Sequence, residues 1–362
     1  VPINSYVSLG HSGLRVSPMA LGTMTFGEEW GWGASPEVSA DILAAYLDHG
    51  GNFVDTANVY TRGHAETIVG DYLAARPELR DRLVLSTKFW ANLHPGDPNG
   101  GGAGRKGIIR QLEDSLRRLG TDYVDLYLLN NFDPYWRDDY QPVIPMAETL
   151  RTLDDLVTAG KIRYVGMSNL PGWKIAEASL LAQTKGWTPM VALQTEYSLA
   201  ERTAEAEVFP AARAYGIGVV PWGVLKNGFL SGKYSRSQPL PAEGSRGGML
   251  GQPADRYYPI IDAVNDVAAE AKASPAAVAT AWVRDRPGVT ATLVGARTVQ
   301  QLEANLEAVD LVLTTDQRAT LDVVSQPELA VPAASNRNAP SLQFGGMWVD
   351  WVQWPEHPSL VR

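Results

Sequence analysis

The chain contains no cysteine, so it can form neither a disulfide nor a thiolate zinc site. Histidine is scarce: His11, His49, His64, His94 and His357 lie far apart, without metal-ligand spacing, so solvated or capping roles suffice and no metal is expected. No apolar stretch approaches the roughly 18 residues that suggest a membrane span. Long basic runs are absent too, and the net charge is -9, which argues against a nucleic-acid or anionic-membrane partner and leaves a small molecule as the expected one. The opening residues Val1-Pro2-Ile3-Asn4 lack a basic region followed by an apolar core, so a cytoplasmic, soluble protein is the expectation. Composition says nothing of oligomeric state.

What is present is core-forming material. Of 362 residues, 45% are hydrophobic and 20% charged, enough for two ordinary domains or one large barrel. The periodicity favours the barrel. Residues 6–16 alternate around a glycine-containing turn, as a small hairpin plugging one end of the core would. Strands are then predicted at 17–22, 52–55, 83–88, 123–129, 163–168, 190–194, 217–221 and 290–294. Between and after them, helical spacing predicts helices near 36–49, 65–76, 107–119, 147–159, 172–185, 205–215, 259–272, 275–285 and 298–308. About eight strands, each followed by a helix, predict a (β/α)8 TIM barrel, a single domain over residues 1–362. The segments 92–106, 235–258 and 327–362 fall outside the repeat and read as loops. The first two follow strands and so belong to the C-terminal face, where such barrels carry their chemistry. The third holds Phe344, Trp348, Trp351 and Trp354, too apolar for a solvated tail, so it is expected to pack back near the substrate mouth.

On that reading, the strand ends bring Asp55, Lys88, Asn130, Ser168, Asn169, Gln194, Trp222 and the turn Gly295-Ala296-Arg297 to one mouth, with Tyr60 in the loop after Asp55. A phenol, of pKa near ~10, serves as a proton donor at neutral pH when a cation stabilises its phenolate. Lys88 supplies the cation and Asp55 would hold it. A buried Lys–Asp pair alone is more often structural; the nearby tyrosine changes that preference.

These residues carry a resemblance. The motifs Leu21-Gly-Thr-Met24, Asn52-Phe-Val-Asp-Thr-Ala57, Val59-Tyr60, Ser86-Thr-Lys88, Asp122-Tyr-Val-Asp-Leu-Tyr127, Gln194-Thr-Glu-Tyr-Ser-Leu199, Gly228-Phe-Leu-Ser-Gly-Lys233 and Gly295-Ala-Arg297 follow one another as in the aldo-keto reductases, which the chain resembles from about residue 6 to 310. The segment Gly160-Lys-Ile-Arg-Tyr-Val-Gly-Met-Ser-Asn169 belongs to the same ordered set. The resemblance implies that Tyr60 is the general acid, with Lys88 lowering its pKa and Asp55 fixing Lys88. It implies NADP (NADPH) as cofactor, with Ser168, Asn169 and Gln194 at the nicotinamide amide and Tyr197 as the stacking aromatic. Thr23 and Asp55 join this cofactor set, Trp222, Leu225, Gly228 and Lys233 follow the pyrophosphate-loop pattern, and Gly295, Arg297, Gln301 and Asn305 surround the adenosine, with Arg297 facing the 2′-phosphate.

Two departures stand out. The family's fourth catalytic residue is a histidine, and here Asn130 takes its place, followed by Asn131; an amide donates a hydrogen bond but cannot exchange a proton. The alternative is that Asn130 only caps the strand. An acid common before the adenine asparagine is replaced by Ala304. The sequence Gly102-Ala-Gly-Arg-Lys-Gly107 satisfies G-x-G-x-x-G, but it sits inside a long loop and not directly after a strand, which argues against a dinucleotide fingerprint. Trp30, Trp32, Phe89, Trp90, Tyr135, Trp136 and the tail tryptophans, with Asn131, would give an aromatic substrate pocket suited to a cyclic or sugar-like ketone, plain core packing being the rival account of each aromatic. His94 lies in a mouth loop within reach of a substrate. The expected function is NADPH-dependent reduction of an aldehyde or ketone. The alternatives are a keto-deoxysugar or other biosynthetic ketone reductase and, outside catalysis, an NADPH-binding sensor or channel-associated subunit.

Overall fold

The computed structural model describes residues 2–131, 144–236, 254–337 and 339–356; Tyr135, Trp136, most of the 235–258 loop and His357 lie outside them. A hairpin of β1 (Val7–Ser8) and β2 (Arg15–Val16) precedes the barrel. Eight parallel strands follow: β3 (Met19–Gly22), β4 (Phe53–Asp55), β5 (Val84–Phe89), β6 (Val124–Leu129), β7 (Ile162–Ser168), β8 (Met190–Glu196), β9 (Gly218–Trp222) and β10 (Thr292–Val294). They run in the order β10-β3-β4-β5-β6-β7-β8-β9. Closure between the end strands is carried just before β10, where Thr290 N donates to Val219 O at 2.8 Å and Val219 N to Gly288 O at 3.3 Å. The protein is therefore a (β/α)8 barrel, as the alternating pattern predicts.

Around it lie α1 (Pro36–Asp48), α2 (His64–Ala74), α3 (Arg105–Leu119), α4 (Met146–Thr158), α5 (Gly172–Lys185), α6 (Val208–Ala214), α7 (Tyr258–Ala271), α8 (Pro275–Arg284), α9 (Val299–Leu306) and α10 (Thr315–Val324). The helix expected at 205–215 is shorter than its pattern, because Pro210 cannot bond the carbonyl four residues back and its ring would strike it, so α6 starts at Val208. Helix α10 is absent from the sequence expectation. Its signal was present: Thr314 and Gln317 form a reciprocal capping box. No helix among the described residues is long and apolar enough to cross a membrane.

The tail also departs from expectation. It forms two short helices, α11 (Ala333–Arg337) and α12 (Ala339–Phe344), and a hairpin of β11 (Trp348–Val349) and β12 (Val352–Gln353). Phe344 and Trp354 pack on each other with ring centres 5.8 Å apart. Trp348 and Trp351 are 69% and 97% exposed, so these two do not pack onto the barrel: the tight turn of a two-residue hairpin holds them outward.

The barrel interior shows why the site forms where it does. Phe53, Val84, Leu126, Leu128, Ala192 and Val220 point inward as one apolar cluster, joined from below by Leu9 and Val16 of the hairpin. Side chains alternate along a strand, so the residues two positions further along, Asp55, Ser86, Asn130, Gln194 and Trp222, share that inner face, and Lys88 lies two beyond Ser86. One layer is apolar and sealed; the next is polar and open toward the mouth.

Seating of the hairpin depends on Gly10, at φ +57, where a Cβ would stand 2.5 Å from Val191 O and 2.7 Å from Gly216 O. Gly10→Ala is expected to lower stability by about 1–3 kcal/mol, the usual range for overpacking, read as a lower urea midpoint with unchanged m. An unaltered midpoint would show that the hairpin is not locked against the barrel floor.

Candidate active site

Lys88 is the centre of the mouth. It is 2% exposed, and its ammonium has three protons and three acceptors: Asp55 Oδ2, with which it forms an ion pair, Thr56 O at 2.9 Å and Tyr60 OH at 3.1 Å. Burial acts to lower the Lys88 pKa, but Asp55 and Tyr60 outweigh it and the pKa lies above its ordinary 10.5. Asp55, fully buried, is satisfied on its other oxygen by Ser86 Oγ at 2.9 Å and Gln194 Nε2 at 2.6 Å. An isolated buried carboxylate would be costly; here three donors from two other strands surround it.

Tyr60 opens a tight turn in which Thr61 and Arg62 adopt left-handed φ values of 44° and 57°. Thr61 secures that turn: its hydroxyl donates to Phe26 O at 3.1 Å and accepts from Ala65 N, at the start of α2, at 2.9 Å. The phenol ring lies beside the ammonium, with Nζ 4.9 Å from the ring centre.

The rest of the mouth is a chain of polar contacts across strand ends. Trp222 Nε1 donates to Asn169 Oδ1 at 3.0 Å, Asn169 Nδ2 to Asn130 O at 3.1 Å, and Asn130 N to Phe89 O at 3.0 Å. Asn169 holds a left-handed φ of 59°, which asparagine tolerates well. Ser168 is buried in register with Gln194, and Thr23 N donates to Asp55 O at 2.9 Å, while its buried hydroxyl has no hydrogen-bond partner among the described residues. Asn131 follows Asn130, half-buried.

Several expected site residues lie elsewhere. Tyr197 cannot stack on a cofactor: it is fully buried between Phe209 and Trp282, with ring centres at 4.7 and 5.7 Å, and its hydroxyl donates to Glu205 at 2.5 Å. Burial, reinforced by Glu205, pushes its pKa upward. The aromatic that reaches the mouth is Trp222, assigned from the sequence to the pyrophosphate loop. Phe89 is not a pocket residue either, being fully buried against Tyr127 at 4.7 Å; along β5 it points to the opposite side from Lys88. Trp90 is half-buried, and Trp30 contacts Trp32 with centres 5.6 Å apart. His94 is tied to Asp114 of α3 at 2.9 Å.

A cleft of about 290 Å³ adjoins the mouth, between the segment after β9 and the turn from β10 into α9. Seven expected cofactor residues line it: Leu225, Gly228, Lys233, Gly295, Arg297, Gln301 and Asn305. Trp32, expected at the substrate, lines it as well, and its carbonyl accepts from Arg297 Nη1 at 3.4 Å. Gln301 Oε1 accepts from Arg297 N at 3.0 Å, and Asn305 Nδ2 donates to Gly295 O at 3.2 Å. Sequence reading passed over Thr25, Asn227, Ser231 and Ser274, which also line the cleft; Ser231 stood inside a quoted motif. Lys226, Asn227 and Gly228 have successive φ values of 44°, 58° and 95°, a tight turn closed by Lys226 N donating to Gly223 O at 2.7 Å and Gly228 N to Leu225 O at 2.9 Å. The two cations Lys233 and Arg297, with the amino end of α9, suit a polyphosphate. The G-x-G-x-x-G stretch is not part of it: a Cβ on Gly107 would lie 2.5 Å from Gly101 O, so that glycine serves loop packing.

A barrel whose mouth joins a buried Lys–Asp pair to a tyrosine, beside a cationic cleft, has the architecture of a barrel oxidoreductase. The chain belongs to the aldo/keto reductase family, whose model matches residues 18–326. It is 35% identical over 339 residues to an uncharacterized oxidoreductase of Bacillus subtilis, covering 91% of this chain and 98% of that one. It is 30% identical to a norsolorinic acid reductase of Aspergillus flavus, covering 89% of this chain and 81% of that one. With a putative aryl-alcohol dehydrogenase of Saccharomyces cerevisiae the identity is 31%, covering 89% and 86%. The protein is thus an oxidoreductase acting on carbonyl or alcohol groups, in a family that generally uses nicotinamide cofactors.

Lys88→Met should leave Asp55 buried without its counter-ion and cost about 3–5 kcal/mol, measured by urea unfolding at pH 7. Since the Lys88 pKa is raised on folding, its stabilisation is fully present below pH 10.5 and fades as pH climbs through the raised value. Equal stability of variant and native protein at pH 7 would contradict the pairing.

Proposed function

We propose that the protein reduces aryl aldehydes or ketones to alcohols with NADPH, Tyr60 donating the proton. The observation that carries this is the contact of Lys88 Nζ with Tyr60 OH at 3.1 Å, with the ammonium held by Asp55. In that contact the phenol accepts from the ammonium, so it can pass its own hydrogen to a carbonyl oxygen. As the proton leaves, Lys88 stabilises the phenolate, and Asp55, fixed by Ser86 and Gln194, keeps the ammonium in place. A nicotinamide cofactor held at the cleft would supply the hydride.

Lys233, in the part of the cleft lined by Leu225 and Gly228, would hold the pyrophosphate, Arg297 the 2′-phosphate, and Gln301 and Asn305 the adenine side. Trp222 offers the flat face at the nicotinamide end, beside Ser168, Asn169 and Thr23. Asn130, immediately after β6 at the mouth, orients the carbonyl oxygen as a donor without titrating. An aryl substrate is supported by Trp30 and Trp90 near the mouth and by the name of one relative, a putative aryl-alcohol dehydrogenase.

Tyr60→Phe is expected to lower kcat by at least about 100-fold, the lower range for general acid catalysis, with NADPH affinity within a few-fold. Benzaldehyde reduction followed by NADPH absorbance, with NADPH binding by fluorescence, measures both; retained turnover would remove Tyr60 as the acid. Arg297→Glu should weaken NADPH by more than about ten-fold, the worth of a charge-assisted bond, and NADH much less. If both cofactors weaken equally, Arg297 does not face the 2′-phosphate.

A further inference from the structure

Gln111, on α3, is 3% exposed, yet all of its polar atoms are used. Its Oε1 accepts from Trp90 N at 2.8 Å and from Asn58 Nδ2 at 3.1 Å, and its Nε2 donates to Gly102 O at 3.1 Å. The amide orientation is set by these partners, because a flip would bring N–H against N–H and carbonyl against carbonyl. Two loops meet at this one side chain: the loop after β4, and the loop between β5 and α3, which it holds near both ends. Asn58 belongs to the loop that carries Tyr60, and its backbone N donates to Lys88 O at 3.2 Å. Trp90 follows β5 two residues after Lys88. Gly102 lies in the long loop before α3, and its N donates to Trp90 O at 2.7 Å.

Trp90 has φ +134°, a conformation that a bulky residue keeps only where its surroundings impose it. Both of its backbone polar groups are gripped, the N–H by Gln111 and the carbonyl by Gly102, which Gln111 itself holds. None of these partners lines the cofactor cleft. We propose that Gln111 is a positioning residue for the substrate: its buried amide sets the Trp90 indole at a fixed distance from the Tyr60 loop, and thereby sets selectivity for aryl over small aliphatic carbonyls. This rests on the substrate reading given above.

No apolar side chain of similar length can replace it. Methionine fills the volume but makes none of the three bonds, whereas glutamate keeps an acceptor for Trp90 N and Asn58 Nδ2 but sets an oxygen against Gly102 O. In Gln111→Met, kcat/KM for benzaldehyde should fall about ten-fold more than for propanal, the equivalent of roughly one net hydrogen bond. The loss should lie in KM, with the NADPH dissociation constant within about two-fold of native. Gln111→Glu should show the same preference loss to a smaller extent, and it carries the test alone if Gln111→Met does not fold. Equal losses for both aldehydes, a parallel weakening of NADPH, or unchanged kinetics would each overturn the proposal. Backbone amide exchange gives a readout independent of turnover: Trp90 and Gly102 N–H should be protected in the native protein and exchange faster in either variant. Should native protein fail to reduce benzaldehyde, the aryl reading is lost, and unchanged exchange at Trp90 in the variants would separately remove the positioning role.

Discussion

The structure depends on keeping an ammonium charged inside a barrel. Lys88 is removed from water, and the cost of that removal is met by one carboxylate, one carbonyl and one phenol oxygen, each in a defined direction. Asp55 would itself be costly without Ser86 and Gln194. The contacts are therefore conditional on one another: β4 supplies the acid, β5 the lysine and a serine, β8 the amide. Strand register decides whether they meet, and a shift of one residue on β5 would turn Lys88 outward.

The rest of the architecture separates two tasks. The mouth holds the groups suited to protonating a carbonyl, and the cleft holds the cations suited to phosphates. Between them runs the loop from β3 to α1. Its Thr25 donates to Ala296 O at 2.6 Å, its Trp32 carbonyl accepts from Arg297, and its Phe26 carbonyl accepts from Thr61, next to Tyr60. One loop thus touches both regions, joining the wall of the cleft to the turn that carries Tyr60.

The aromatic residues show how packing sorts a chemically similar set. Along the chain Tyr197, Phe89 and Trp32 read as ring contacts for cofactor or substrate, and Trp222 as part of the pyrophosphate loop. Tyr197 was taken into a cluster with Phe209 and Trp282, beside the Arg202–Glu205 ion pair. Phe89 faces the helices, Trp32 faces the cleft, and Trp222 faces the mouth. Alternation along β5 and β9 accounts for Phe89 and Trp222 after the fact. For residues in loops, such as Tyr197 and Trp32, no period exists to read, and only the fold shows which surface each one meets.

The strand and helix order, the barrel, and the identity of Asp55, Tyr60 and Lys88 as a group were legible in the residues themselves, because local period, turn chemistry and ordered motifs are written along the chain. Even there, local competition mattered: Pro210 cut α6 short, and the Thr314–Gln317 box nucleated a helix that the hydrophobic pattern did not announce. Tertiary structure alone decided that Gln194 holds Asp55, that Trp222 stands at the mouth while Tyr197 is buried, and that Gln111 ties the loop after β4 to the loop after β5. Each of these is a contact between residues far apart in sequence, whose direction depends on strand register and barrel closure, and neither quantity is expressed in the local pattern of any single segment.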